Sequence, residues 1–172
     1  MLKLIAAASL AAFFSSLFGV NWESVDDKIE REFPAVRAVS TEQLLSRYES
    51  AGAELPLIVD VREADEFQVS HLDGALNLDN AEAIAAVISQ RGLGKDAEII
   101  VYCSVGYRSA SVAAALQDQG FTEVLNLQHS LFEWADKGFP MTNDNGDTDK
   151  VHPFNETWGA LVDDSLHSYT EK

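Results

Sequence analysis

Residues 99–111 read IIVYCSVGYRSAS, Ile99 to Ser111. Ile99, Ile100, Val101 and Tyr102 are β-branched or aromatic and carry no alternation, the pattern of a strand buried on both faces. A tight turn of small residues follows, and a helix rich in small residues is expected from near Arg108 or Ser109 to Gln119, ended by Gly120. Cys103 therefore stands at the mouth of a strand–turn–helix unit. Backbone N–H groups in such a turn, with the helix N-terminus, form a concave nest of positive potential. A thiolate placed there is stabilised and more reactive at neutral pH. Gly106 lets the loop curl, Ser104 and Ser109 add hydroxyl donors, and Arg108 can pair with a bound anion. On the strand alone, Cys103 reads as a buried small hydrophobe. A packing residue does not require a glycine, two serines and an arginine around it.

Working outward, apolar strand-like runs alternate with helical ones. Strands are expected at Ala35–Val39, Leu57–Val61, Ala75–Leu78, Glu98–Tyr102 and Val124–Leu127. Ser40 and Thr41 can cap a helix whose apolar side is Leu44, Leu45 and Tyr48. Further helices are expected at Ala81–Ile88 and Leu131–Lys137. Strict alternation implies an α/β fold, a parallel sheet covered by helices on both faces. Ligands in such sheets bind beyond the carboxyl ends of the strands, which singles out Asp60–Glu63 and Cys103–Arg108. Residues 21–34 are polar and read as a connector or a loosely packed helix, and residues 35–141 as the domain. Residues 142–172 read as a C-terminal loop and packing extension. Its first part, TNDNGDTDK (Thr142–Lys150), has the composition of a flexible loop, while Phe154, Trp158 and Leu161 can pack back onto the domain.

The 172 residues include 28 Asp and Glu against 12 Lys and Arg, a formal net charge of −16. That field repels nucleic acid and anionic lipid headgroups, so no nucleic-acid partner is expected. It also opposes an anionic substrate at long range, so an anion site needs strong local donors. With one cysteine there is no intrachain disulfide and no Cys-rich zinc site. His71, His129, His152 and His167 are scattered without metal-ligand spacing, so neither a metal nor a cofactor is expected. Residues 1–20, MLKLIAAASLAAFFSSLFGV, have a basic start, an apolar run and small residues. This is the layout of a signal peptide or an N-terminal membrane anchor. Export to the periplasm or beyond, or a membrane tether through this segment, is expected; a cytoplasmic protein with a buried N-terminal helix is the competing reading.

Cys103-Ser104-Val105-Gly106-Tyr107-Arg108 resembles the active-site loop of rhodanese-like domains, which carry a cysteine, a glycine three residues on and often a closing arginine. Asp60-Val61-Arg62-Glu63 is similar to the family's Asp-Val-Arg segment, with Glu66-Phe67 and His71-Leu72-Asp73-Gly74-Ala75 following. Leu131-Phe132-Glu133-Trp134 and Gly138-Phe139-Pro140 match its closing helix and exit. The resemblance implies a five-stranded parallel sheet with helices on both faces. It also implies sulfurtransferase chemistry: the Cys103 thiolate attacks a sulfane sulfur donor such as thiosulfate and becomes a persulfide. A thiophilic acceptor, cyanide or a thiol, or a sulfur-relay protein, then removes the outer sulfur, with ping-pong kinetics. Loop N–H groups stabilise the charge on sulfur.

Each neighbour has two readings. Arg62 adds positive charge near the pocket, or with Asp60 fixes the loop backbone, the favoured role for Asp60. Arg108 contacts a substrate anion, or ties its helix to a nearby carboxylate. Tyr107 is a lid over the pocket or an exposed partner contact. His71 reads as a structural hydrogen-bonding residue. Where the family usually carries a glycine pair, this chain has His129-Ser130. The turn there is expected to be rearranged, with His129 facing either the pocket or solvent.

Three other functions compete. Phosphatases of this fold use a loop one residue longer between Cys and Arg; Ser104–Tyr107 leave a tighter cradle. An arsenate reductase or thiol switch would want a resolving cysteine. A non-catalytic or partner-dependent binding module usually lacks the cysteine that stands here.

Overall fold

The computed structural model describes residues 19–50 and 55–170. The expectations for residues 1–20 fall almost wholly outside the described residues. Among those described, no helix is long and apolar enough to cross a membrane.

Helix α1, Trp22–Glu32, opens the described chain. The Asn21 side chain accepts the Ser24 N–H at 2.8 Å while the Ser24 hydroxyl accepts the Asn21 N–H, a reciprocal cap that starts the helix sharply. Of the two readings for residues 21–34, a helix is what forms. Strand β1 (Arg37–Val39), helix α2 (Thr41–Glu49), strand β2 (Leu57–Asp60), helix α3 (Ala64–Val69) and strand β3 (Leu76–Asn77) follow. Helix α4 (Ala81–Gln90), strand β4 (Ile99–Tyr102), helix α5 (Tyr107–Asp118), strand β5 (Val124–Leu127) and helix α6 (Ser130–Asp136) complete the alternation. All five strands are parallel, in the order β1-β5-β4-β2-β3. Strands consecutive in the chain are joined through helices, as parallel pairing demands.

Strand β4 is buried along its whole length and shows why its residues read as they do. Successive side chains point to opposite faces. Ile99 and Val101 pack with Ile84, Ile88, Ala113 and Leu116 of α4 and α5. Ile100 and Tyr102 pack on the other face with Leu44, Leu131, Phe132 and Trp134 of α2 and α6. Two apolar layers thus clamp the sheet and leave the carboxyl ends of β2 and β4 side by side, Asp60 in register with Tyr102.

The segment read as a flexible loop is ordered instead. Strands β6 (Met141–Asn143) and β7 (Gly146–Thr148) form an antiparallel hairpin. Asp144 and Asn145 make its turn, and Gly146 adopts φ +117°, a conformation glycine reaches without strain. Asn, Asp and Gly serve loops and hairpin turns alike, so composition could not separate them. Beyond the hairpin, helix α7 (Glu156–Gly159) and a 3₁₀ turn at Asp164–Leu166 return to the domain. Val151, Leu161 and Val162 join the core. Phe154 does not: it stays exposed with φ +64°.

Candidate active site

Strand β4 ends at Tyr102, and the chain turns through Cys103–Gly106 into α5. Gly106 is the N-cap of that helix at φ +98°, so the helix begins at Tyr107, one or two residues earlier than the sequence suggests. A Cβ added at Gly106 would meet only ordinary contacts, the nearest being the Leu127 carbonyl at 3.5 Å. The backbone angle, not space, is what calls for glycine here. The turn brings the Gly106 N–H to 3.1 Å from the Cys103 sulfur. The Ser109 hydroxyl, on the first turn of α5, lies 3.5 Å from it. Cys103 is 1% exposed, among apolar neighbours, with a helix N-terminus beside its sulfur. Excess electron density on sulfur is met there by N–H, hydroxyl and helix dipole.

The loop backbone is fixed from outside. The Cys103 N–H donates to the Ser130 hydroxyl at 3.2 Å, which in turn donates to the Leu127 carbonyl. The Leu131 and Phe132 N–H groups donate to the carbonyls of Cys103 and Ser104, so the start of α6 anchors the turn. The Asn126 amide donates to the Gly106 carbonyl at 3.0 Å from the end of β5.

Arg108 meets Glu66 of α3 in a two-pronged ion pair, Nη1 to Oε2 at 2.9 Å and Nη2 to Oε1 at 2.7 Å. The Ser104 hydroxyl donates to Glu66 at 3.0 Å and accepts from Arg108 Nη2 at 3.1 Å, closing the triangle. Burial by itself would push the Glu66 carboxyl up. Its hydrogen bonds and charge attraction to Arg108, with Arg62 and the Glu63 N–H behind, hold it below the usual carboxylate range. Burial would likewise lower the Arg108 guanidinium, but Glu66 and the sulfur of Cys103 raise it. The Phe154 ring, brought in by the C-terminal extension, lies 4.9 Å from the guanidinium of Arg108.

The structure gathers Cys103, Ser104, Gly106 and Arg108 around one cradle and directs the other expected residues elsewhere. Val105 is 5% exposed and packs in the core, so its contribution is backbone. Tyr107 is neither a lid nor an exposed partner contact. Its ring packs on Phe33 and under the Lys28 ammonium, and its hydroxyl donates to Glu32, so it holds α1. Arg62 is fully buried and clasped by Asp60, Nε to Oδ1 at 2.9 Å and Nη2 to Oδ2 at 2.6 Å. Its Nη2 also donates to the Ser70 carbonyl, so Asp60 and Arg62 fix the β2 loop. His71 stacks on Phe67 and bonds its carbonyl.

His129 faces neither Cys103 nor open solvent. Nδ1 bonds Glu133 at 2.9 Å, Nε2 bonds Asp26 of α1 at 3.0 Å, and the ring lies against Trp22. His129 and Ser130 adopt φ +55° and +50°, the left-handed region glycine would favour. That geometry costs about 1–2 kcal/mol per non-glycine residue. It is held by the carboxylates around His129 and by the two hydrogen bonds of the Ser130 hydroxyl.

Glu66, Ser130 and Phe154 complete the site, although in the sequence they stand out only as a motif member, as half of the His129-Ser130 departure and as a packing residue. A further residue, Asn126, holds the loop through its amide, and its only signal in the sequence is a polar side chain inside the apolar run Val124–Leu127.

The cysteine stands at the tip of a parallel-sheet strand, with a helix N-terminus beside its sulfur, on an α/β scaffold. A model of the Rhodanese-like domain family matches residues 40–137, and the chain belongs to that family. It is 32% identical over 111 residues to a sulfurtransferase of Allochromatium vinosum, covering 64% of this chain and 99% of that protein. It is 36% identical over 98 residues to the thiosulfate sulfurtransferase GlpE of Pseudomonas putida, covering 57% of this chain and 84% of the relative. Among solved structures, the rhodanese-like domain of a protein from Anabaena sp. superposes with a TM-score of 0.54 at 26% identity, over 62% of this chain and 78% of that one. At the level of the family, rhodanese-type sulfurtransferase chemistry is what these relatives support.

Proposed function

We propose that the protein carries sulfane sulfur as a persulfide on Cys103, taking it from a donor such as thiosulfate and passing it to a thiophilic acceptor. The observation that carries this reading is the Gly106 N–H at 3.1 Å from the Cys103 sulfur, at the N-terminus of α5. The thiolate attacks the outer sulfur of the donor, the donor's S–S bond breaks, and sulfite leaves when thiosulfate is the donor. The persulfide charge then rests against the same N–H and the Ser109 hydroxyl. An acceptor thiolate or cyanide takes the outer sulfur and restores the cysteine thiolate. The anchoring of the loop by Ser130 and the start of α6 keeps these donors in place between the two halves of the cycle.

Phosphoryl transfer fits less well, because the arginine that would clamp a phosphoryl group is already engaged with Glu66. The test is intact-protein mass spectrometry after incubation with thiosulfate and with other sulfane donors. A gain of about 32 Da, one sulfur atom on the thiolate, is expected, and it disappears in Cys103→Ser. No gain with any sulfane donor, from correctly folded protein, overturns the reading.

Residues 1–20 are proposed to export or tether the protein on the strength of their basic-then-apolar pattern. Fractionation of cells expressing the full chain tests this; soluble cytoplasmic protein of full size would contradict it.

A further inference from the structure

The charged groups around the Cys103 loop are matched in pairs. Arg108 is neutralised by Glu66 through two short hydrogen bonds, and a third goes to Ser104. The Phe154 ring covers the guanidinium further. Arg62, the other arginine at this end of the sheet, is fully buried and neutralised by Asp60. Tyr107, next to Arg108, meets Lys28 and Glu32, which are themselves paired. No cation among these is left over to meet an incoming anion, and the chain as a whole carries −16. In direct contact with the sulfur are one backbone N–H, one hydroxyl and a helix N-terminus, while Arg108, already paired with Glu66, acts on it only through space.

Thiosulfate brings two negative charges to a thiolate that already carries one, and this cradle offers no unpaired cation to offset them. The persulfide of a thiol brings at most one negative charge on its sulfurs. Building on the sulfurtransferase reading, we propose that Glu66, by neutralising Arg108, selects thiol persulfides (R–S–SH) over dianionic thiosulfate as sulfur donors to Cys103. In the transfer, the Cys103 thiolate forms a bond to the outer sulfur of R–S–SH and the original S–S bond breaks. R–S⁻ leaves and Cys103–S–SH remains, so charge and atoms balance without an outside oxidant or reductant. Glu66 acts through Arg108 and is a specificity-determining residue, not a catalytic one. Its lowered carboxyl keeps it ionised, and the pair matched, at neutral pH.

The experiment follows the initial rate of Cys103 mass gain in the full chain, with sodium thiosulfate and with cysteine persulfide at matched concentrations. The persulfide is expected to load the wild type at least about tenfold faster, the scale of electrostatic selection in a charged cleft. Glu66→Gln keeps an oxygen for Arg108 but removes the charge, and the persulfide-to-thiosulfate rate ratio is expected to fall about tenfold. A purely structural loss would slow both donors alike and leave the ratio unchanged, which would overturn the proposal. Where Glu66→Gln does not fold, wild-type protein decides by ionic strength. Raising salt from about 10 mM to about 150 mM shortens the screening length from about 30 Å to about 8 Å. Thiosulfate loading should then accelerate, whereas slowing would mean an attractive site and contradict the proposal. Thiosulfate loading as fast as persulfide loading refutes donor selection alone. No mass gain with either donor refutes the sulfurtransferase reading itself.

Discussion

The loops that leave β2 and β4 lie side by side and use related chemistry to opposite ends. Each strand delivers a group able to carry negative charge, Asp60 in one and Cys103 in the other, and each group accepts a backbone N–H a few residues on. The Arg62 N–H reaches Asp60 at 3.0 Å, and the Gly106 N–H reaches the Cys103 sulfur at 3.1 Å. Each loop also carries an arginine. In the β2 loop the arginine turns back onto its own carboxylate and the pair is sealed inside. On the β4 side the arginine, in the first turn of α5, is drawn away to Glu66 of α3, so the sulfur is contacted by N–H, hydroxyl and dipole and feels Arg108 only through space. At β2 the anion is locked into an ion pair; at β4 the cation has another partner and the sulfur has no ion pair of its own, which is what the proposed sulfur carrier requires.

Breaking the β2 side should have the largest effect. Asp60→Asn leaves the Arg62 guanidinium buried without a counter-charge, a loss of about 3–5 kcal/mol in stability. Urea or thermal unfolding reads this directly. On the β4 side, Gly106→Ala should cost less, about 1–2 kcal/mol for a residue with a Cβ held in the left-handed region. Its functional effect should be larger than its structural one, because the strained turn moves the N–H from the sulfur. Mass-gain rates should fall at least about tenfold, on the pattern of losing one oxyanion donor.

Ser130→Ala removes one hydroxyl that serves both Cys103 and Leu127, and unfolding should show a loss of about 1–3 kcal/mol from the buried groups left unpaired. The subtlest contrast is in acid. The Glu66 carboxyl lies below its ordinary value in the folded protein, so it contributes stability that is present above the unfolded value, about pH 4. That contribution is lost as pH falls through the lowered folded value. Wild type should therefore lose more stability than Glu66→Gln between about pH 5 and pH 2. Parallel unfolding curves for the two proteins across that range would show the ion pair is not formed.

What the sequence could say divides along the same line. Strands β2, β4 and β5 were legible because both-face burial demands continuous apolar runs. The Cys103 turn was legible because glycine and small residues leave few other conformations. The partner of Arg108 was not, since Glu66 lies 42 residues earlier and meets it only through the packing of α3 against the loop. The same holds for His129. Its two carboxylate partners come from α6 and from α1, a helix whose only fully buried residue is Val25, so apolar periodicity hardly announced it. Phe154 was expected inside and is outside. Aromatic character marks burial on average but cannot show that a ring will lie against an arginine at the surface.

The central claim is that the β4 loop makes Cys103 a sulfur carrier, and isolation of the full-length protein from cells tests it most directly. Intact-mass and peptide mass spectrometry, without added reductant, should find a population about 32 Da heavier, with the added sulfur on the Cys103 peptide and released by cyanide or a thiol. Protein that shows no such population as isolated, and gains none from thiosulfate or a thiol persulfide while remaining folded, would contradict the account.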